Sequence, residues 1–499
     1  MFKKILIANR GEIAVRIIRA CKELNIKSAA IYSKADKTSL HSRLADESYL
    51  IGDAKSSESY LNGKKIIELA KQIGADAIHP GYGFFSENHS FIKNVENEKI
   101  KFIGPSSKSV SLMGNKTSAR KLMEKNNVPI VPGTTSPIKT SKIGKLKAEE
   151  IGYPILLKAV SGGGGKGIRI VYNSREFDEA LKSTKRQAKN SFGSDEVYIE
   201  KFIENPKHIE VQILADNFGN YIHLFERECS IQRRHQKIIE ESPSSFVDEK
   251  TRSRITEAAI NAAKACKYQN AGTVEFLMDK NKNFYFLEMN TRLQVEHPVT
   301  ELITGIDLVI QQIRIAYGLK LKINQNDIFI HGHSIECRIY AEDTENDFLP
   351  STGKLTNFNI PAGPGVRVDT GFEIGSEISM YYDPMIAKLV CWNNDRISAI
   401  SRMKRALDEF EITGVTHNIN FLKLIMNNKK FMDGIFDINF IDREKLLEKK
   451  FHTDNNESIT KETAAFIFSA LMKNEKSQKI NSYPDKENSR NFWTEQIHE

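Results

Sequence analysis

The sequence predicts a mixed chain, open parallel α/β in its N-terminal part and α+β beyond it, ending in a polar tail. Three observations predict this. Short apolar runs alternate with helical patterns over residues 2–115. A glycine cluster at 162–167 lies between two strand-like runs. After residue 446 the composition turns to Lys, Glu, Asn and Ser. With 499 residues the chain has room for several domains of roughly 100–200 residues each.

In the first part, residues 5–8 read as a strand, 11–23 as a helix, 28–32 as a strand, 63–73 as a helix and 77–78 as a strand end. Such alternation argues for an open parallel sheet, in which ligands sit beyond the carboxyl ends of the strands. Two glycine-containing turns fall there, Asn9-Arg10-Gly11-Glu12 and residues 79–84. Residues 116–205 open with a helix at 118–125 and become strand-rich around the glycines. Residues 206–330 hold several strands and helices at 250–267 and 304–317. Residues 331–446 read as strands followed by a helix at 396–409. The tail, 447–499, carries one apolar helical patch at 464–472 and reads as a loosely attached docking segment.

Composition excludes several classes of function. Hydrophobic residues make up 40% and charged residues 27%, as in a soluble globular enzyme. The net charge of +8 comes from 72 basic and 64 acidic residues spread along the chain, so no nucleic-acid footprint is expected. Cysteines at 21, 229, 266, 337 and 391 are dispersed and odd in number, which argues for reduced thiols and a cytoplasmic setting. No run of about 18 apolar residues offers a membrane span. The opening MFKKILIANRGEIAV lacks the features of a secretory signal.

The glycine segment reads PILLKAVSGGGGKGIRIV over residues 154–171. Gly162, Gly164 and Gly167 match GxGxxG, but strand-like residues flank them on both sides where a dinucleotide site needs a following helix. Walker A fails as well, because Val160 stands where glycine is required and Gly167 follows the lysine. The unit predicts a hairpin flap. Its bare backbone N–H groups, with Lys158 and Lys166 beside them, suit a polyphosphate.

A second segment, FLEMNTRLQVEH at 286–297, alternates polar and apolar residues. If it is extended, Glu288, Asn290, Arg292, Gln294 and Glu296 share one face. Upstream, TVEFLM at 273–278 is apolar except for Glu275, and DKNKN at 279–283 is a turn signal. A turn centred on Asn281-Lys282 sets Glu275 opposite Glu288. Two facing carboxylates repel, and a divalent cation removes the conflict. With the amide oxygen of Asn290 they form a hard-ligand set suited to Mg²⁺ or Mn²⁺. Arg292 offers a planar fork to a small oxyanion, and Glu296 beside it is a candidate general base. The alternative is a plain amphipathic strand with a solvated face; the lone Glu275 in its apolar run argues for the metal.

These pieces, in this order, resemble the ATP-grasp enzymes and, among them, the biotin carboxylases. The resemblance is carried by KKILIANRGEIAVRIIRAC (3–21), HPGYGFFSEN (79–88), MGNK (113–116), LLKAVSGGGGKGIRIV (156–171), YIEKFIENPKHIEVQ (198–212), ERECSIQRRHQKIIEESPS (226–244), FLEMNTRLQVEHPVTE (286–301), HSIECRIYAED (333–343) and YYDPMIAKL (381–389). It implies an N-terminal pre-ATP-grasp domain over 1–115 and an ATP-grasp domain over 116–330 with its lid at about 131–204. A C-terminal domain follows over 331–446, then the tail over 447–499.

By resemblance, Lys116 and Lys158 hold the ATP phosphates, and Gly162, Gly163, Gly164, Gly165, Lys166 and Gly167 form the closing flap. Glu200, Lys201 and Ile203 lie on the adenine side, with His208 near the ribose, and Leu277 is among the nucleotide-binding residues. Gln232, His235 and Lys237 line the nucleotide and phosphate end. Glu275, Glu288 and Asn290 are implied metal ligands. Arg292, Gln294 and the Val295 backbone are the implied bicarbonate pocket, Glu296 the base, and Tyr82 and Arg338 the residues at the biotin ureido ring. The implied reaction is the carboxylation of biotin by ATP and bicarbonate through carboxyphosphate, in a homodimer. Met472-Lys473 is rejected as a biotin attachment point, so the biotin carrier and the carboxyltransferase are expected on separate chains. The final acceptor (acetyl-CoA, propionyl-CoA or pyruvate) is not readable. The alternative is an ATP-grasp ligase of carbamoyl-phosphate type.

Overall fold

Strand β1 (Lys4–Ile7) is apolar on both faces: Ile5 and Ile7 enter one core, while Leu6, with Ala8 beyond the strand's end, enters another. A strand buried on both sides belongs inside a parallel sheet. It pairs in parallel with β2 (Lys27–Ser33) and, on its other edge, with β4 (Ala77–His79). With β3 (Glu47–Gly52) and β5 (Lys101–Phe102) the order is β3-β2-β1-β4-β5, all parallel. Helix α1 (Gly11–Glu23) buries Ile13, Ile17, Ile18 and Cys21. The same core takes Leu214, Leu224, Leu293 and Leu308 from later in the chain. The two expected turns do meet at the carboxyl ends of the strands. The Asn9 amide donates to the carbonyls of Pro80 and Tyr82, both at 2.7 Å. Gly81 takes φ +63°, and a Cβ there would lie 3.0 Å from both Asn9 and Ile13, so this turn needs glycine.

The computed structural model describes residues 1–134, 136–160, 167–448 and Ser469. Gly162, Gly163, Gly164, Gly165 and Lys166 lie outside the described residues, as does the expected patch at 464–472 apart from Ser469. The chain divides into two units, Met1–Lys449 and Lys450–Glu499. All five cysteines are buried and unpaired. Among the described residues no helix is long and apolar enough to cross a membrane.

Helix α2 (Lys116–Lys125) begins two residues earlier than expected, because the Asn115 side chain caps it by accepting from the Ser118 N–H. Strands β6 (Ile155–Ala159) and β7 (Ile168–Val171), on either side of the glycine segment, pair antiparallel as the two strands of the expected hairpin. Strand β8 (Val197–Lys201) pairs with the other edge of β6.

The largest sheet has eight antiparallel strands: β9 (Lys207–Ala215), β10 (Tyr221–Arg233), β11 (Gln236–Ser242), β12 (Asn270–Met278), β13 (Phe284–Asn290), β14 (His333–Tyr340), β15 (Val366–Thr370) and β16 (Met385–Asn393). Their order is β13-β12-β9-β10-β11-β14-β16-β15. The sheet passes from β11 to β14 without a break, with Ile239 opposite Cys337 and Glu240 opposite Glu336. Helix α3 (Glu249–Ala265) covers one face, where Ile255, Ala259 and Ala262 meet Val211, Val274 and Phe276.

Two expectations are corrected. The helix expected at 304–317 is two helices, α4 (His297–Thr304) and α5 (Leu308–Tyr317). Gly305 ends the first at φ +70°, and Asp307 caps the second through the Ile310 N–H. The polar-faced segment is not extended throughout, for β13 stops at Asn290. The Thr291 N–H leaves the ladder for the Glu87 carboxylate, and Pro298 already sits in the first turn of α4. Arg292, Gln294 and Glu296 therefore lie on a loop, and strand alternation does not place them.

Candidate active site

One polar row crosses four strands of the large sheet. Glu288 on β13 faces Glu275 on β12, which faces Glu210 on β9, which faces Arg227 on β10. Three adjacent carboxylates are unstable in a dry sheet unless cations intervene. Arg227, fully buried, places Nε 2.5 Å from Glu210 Oε1. Lys237 on β11 reaches three carboxylates at once: its Nζ is 2.6 Å from Glu210 Oε2, 2.9 Å from Glu275 Oε1 and 2.7 Å from Glu296 Oε1. Burial alone would lower the Lys237 pKa, but these three anions hold it well above the lysine range. Burial would likewise raise Glu275 and Glu296. Lys237 and His208 hold the first well below the usual carboxylate range, and Lys237, Arg338 and Arg227 the second. All three groups are therefore charged across the physiological range.

Glu288 behaves oppositely. Burial raises its pKa and the Glu275 charge raises it further, with Lys116 opposing. The facing pair is the one read from the turn, yet the register reaches it differently. Next to the turn Phe276 pairs with Phe286, and an irregularity between Glu275 and Phe276 restores the Glu275–Glu288 match. The donor set fits a hard divalent cation, which would remove the repulsion that Glu288 still bears. Asn290 here donates its amide N–H to Glu275 Oε1 at 2.9 Å and gives its oxygen to Arg292 Nη2 at 2.9 Å. As a metal ligand it would present that oxygen to the ion.

Glu288→Gln should lower turnover on the order of 100-fold and raise the Mg²⁺ needed for half-maximal rate. The sign for stability is the reverse. A carboxyl whose folded pKa lies above its unfolded value costs stability once ionised, so at pH 8 the variant should melt no lower than the native chain. A magnesium titration and a thermal melt check both, and near-native turnover would remove Glu288 from the metal set.

The loop after β13 brings the remaining groups together. Arg292 donates through Nε to Glu87 Oε2 at 2.8 Å and through Nη1 to Gln294 Oε1 at 3.0 Å. Gln294 donates to Glu275 Oε1 at 3.1 Å, and Lys388 Nζ holds the Val295 carbonyl at 2.9 Å. Glu296, fully buried, divides its carboxylate: Oε1 meets Lys237, and Oε2 meets Arg338 Nη2 at 2.9 Å. Arg338 Nη2 also lies 2.6 Å from Glu240 Oε1. Burial, with Glu296 adding to it and Arg338 opposing, pushes the Glu240 pKa up to about 7.

Two cavities border these groups, and a third lies apart from them. One of 230 Å³ is lined by Lys116, Lys158, Glu200, Glu288 and Asn290. Lys158 pairs with Glu200 at 2.7 Å, and Arg120 pairs with the other Glu200 oxygen at 2.5 Å. A second, of 580 Å³, is lined by Tyr82, Arg292, Val295 and Arg338 with Arg10, Phe84 and Tyr382. A third, of 730 Å³, holds Lys201 and Ile203. Gln232 donates to His208 at 3.1 Å, and His208 Nε2 stands 3.0 Å from Glu275 Oε2. Leu277 pairs with His208 across β12 and β9. His235 is apart from this convergence, exposed at the β10–β11 hairpin tip with φ +66°. Gly167, at φ +75°, closes the hairpin next to Ala159.

Family models match along the chain: the biotin carboxylase N-terminal domain over residues 1–110, the carbamoyl-phosphate synthase L chain ATP-binding domain over 115–324, and the biotin carboxylase C-terminal domain over 336–443. The chain belongs to the biotin carboxylase family. A pyruvate carboxylase subunit from Methanothermobacter thermautotrophicus is 52% identical over 442 residues, 89% of this chain and 90% of that one. A biotin carboxylase of Nostoc sp. is 50% identical over 440 residues, 88% of this chain and 98% of that one. The biotin carboxylase domain dimer of Hydrogenobacter thermophilus 2-oxoglutarate carboxylase, solved with MgADP, ADP and bicarbonate, matches with a TM-score of 0.85 at 47% identity, covering 90% and 99%. Of two longer carboxylase alpha subunits the chain spans 64% and 61%.

Around the site of this biotin carboxylase stand four residues not expected from the sequence: Glu210, Glu87, Lys388 and Glu12. Glu210 had a signal: His208, Glu210 and Gln212 alternate inside an otherwise apolar strand, as Glu275 does. Lys388 is fully buried, 3.1 Å from Glu12 and 6.0 Å above the Tyr82 ring, and Tyr82 in turn bonds Glu12 through its hydroxyl. Tyr82 is thus positioned by a lysine more than 300 residues away in sequence.

Proposed function

We propose that the chain uses MgATP and bicarbonate to carboxylate biotin borne by a separate carrier protein, by way of carboxyphosphate. One observation carries this reading: Glu296 gives one oxygen to Lys237, in the polar row shared with the metal carboxylates, and the other to Arg338, which lines the aromatic cavity. A base so placed serves a small acid lying between a nucleotide phosphate and a second substrate.

Mg²⁺, when bound by Glu275, Glu288 and Asn290, would offset the charge of the terminal phosphate. Lys116, Lys158 and Lys237 supply the remaining positive charge around the transferred phosphoryl group. The Arg292 fork, with Gln294 and the Val295 backbone, orients bicarbonate, and Glu296 takes its proton as a bicarbonate oxygen attacks the terminal phosphorus and ADP leaves. A carboxylate held so low is a weak base while both cations grip it. When Lys237 turns to the phosphoryl oxygens, Glu296 loses the stronger of the two and its basicity rises as the proton must move. Carboxyphosphate hydrolyses in water, so the glycine flap closes over it. Its breakdown gives CO₂ and phosphate; phosphate takes the ureido proton of biotin, Arg338 stabilises the resulting oxyanion, and the nitrogen attacks CO₂. The carrier and the carboxyltransferase are separate proteins in this reading, the chain pairs with a second copy as its 2-oxoglutarate carboxylase relative does, and the scattered cysteines suit the cytoplasm.

Phosphate release from ATP tests the reading. It should require bicarbonate and rise when free biotin is added. Release indifferent to biotin but driven by ammonia would replace it with a carbamoyl-phosphate type of ligase.

A further inference from the structure

Resting on that reading, we propose that Glu87 is a positioning residue that sets the bicarbonate-binding Arg292 and anchors the loop leading to the base. Glu87 lies just beyond the Tyr82 turn of the N-terminal sheet, far in sequence from either group. Its two oxygens divide between consecutive residues at the point where the chain leaves β13. Oε1 accepts from the Thr291 N–H at 2.9 Å and from the Thr291 hydroxyl at 3.2 Å, and Oε2 accepts from Arg292 Nε at 2.8 Å.

Among the described residues Glu87 is the only ion-pair partner of Arg292. The other acceptors on that guanidinium, Asn290, Leu293 and Gln294, are neutral. A planar fork binds a planar anion only when its plane and edge are fixed, and a carboxylate on Nε fixes both. Burial would lower the Arg292 pKa, while Glu87 is the first group that raises it.

Position makes the same case independently. Glu87 is the one described residue that lines both the 230 Å³ cavity with Lys116 and Glu288 and the 580 Å³ cavity with Tyr82 and Arg338. It therefore stands where the phosphorylated intermediate must be kept while biotin enters. Tying down Thr291 also fixes the start of the short loop that ends at Glu296. The N-terminal domain in this way holds a binding group and a base on the loop that leaves the large sheet.

The test uses the full chain with MgATP, bicarbonate and free biotin. Glu87→Gln keeps an acceptor for Thr291 but loses the charge on Arg292. It should raise the bicarbonate KM about ten-fold. kcat should stay within about three-fold, with the ATP KM and melting temperature unchanged. Phosphate released per carboxybiotin formed should rise as well, because the intermediate is less well seated. Adding Glu87→Gln to an Arg292→Lys chain should raise the bicarbonate KM much less than it does alone, since the two act as a unit. An unchanged bicarbonate KM overturns the proposal. So does a joint rise in both KM values with a lowered melting temperature, the mark of a merely structural residue. If Glu87→Ala fails to fold, the glutamine variant decides. Absence of bicarbonate-dependent turnover in the native chain would bring down the function reading, and this inference with it.

Discussion

Replacing Lys237 with methionine should cut turnover by at least about 1,000-fold and reverse the way stability responds to pH. Its ammonium holds Glu210, Glu275 and Glu296, which are 0%, 4% and 0% exposed. Removing one partner of a buried pair costs about 3–5 kcal/mol, and here one cation serves three anions. In the native chain Glu275 and Glu296 have folded pKa values below their unfolded ones. Their contribution is complete above the unfolded value, near pH 4.3, and is lost as pH falls toward the depressed values. Without Lys237, burial should outweigh the remaining pull of His208 on Glu275 and carry its folded value up past the unfolded one. Stability is then greatest in acid and falls as pH rises through that value. Melting temperatures at several points from about pH 5 to pH 8 make the comparison. The native curve should be nearly level and the Lys237→Met curve should decline. Parallel curves would mean that Lys237 does not carry the three charges.

Glu296→Gln should lower bicarbonate-dependent ATP hydrolysis by about 100- to 10,000-fold, the range that general-base catalysis contributes, while leaving the ATP KM near its native value. The rest of the cluster can bear the change. Lys237 keeps Glu210 and Glu275, and Arg338 keeps Glu240 at 2.6 Å. No buried charge loses its last partner, so the variant should fold. The loss should fall on kcat, because the proton acceptor acts in the step and not in nucleotide binding. Turnover within ten-fold of native would assign the proton transfer to another group.

Much of this was legible in the sequence, for stated reasons. Helices 11–23 and 396–409 were readable to the residue because their apolar positions recur with helical spacing and polar breaks bound them. The Glu275–Glu288 pairing was readable because a short polar turn joins two apolar runs, though the irregularity that perfects it was not. What remained hidden depends on contacts between distant segments. Glu87 and Arg292 are 205 residues apart, and Lys388 and the Val295 carbonyl 93. Strand alternation misplaced Arg292, Gln294 and Glu296 because pairing along β13 ends one residue before the side chain of Glu87 intercepts the backbone. Glu210 was missed although its alternating neighbours announced it, because three carboxylates in one row make sense only when a lysine from a fourth strand is known to meet them.

The unbroken passage of the eight-stranded sheet from β11 to β14 has a consequence for synthesis. The outer edge of β11 has no partner until β14 has been made, about 90 residues later. At about 5–20 residues per second, a ribosome leaves that edge open for roughly 5–20 s. An open edge is a template for any other extended chain. On β11 it carries Glu240, whose cationic partner Arg338 arrives only with β14. A glutamate buried in the finished sheet thus also serves the nascent chain, its charge keeping strangers off an unfinished edge.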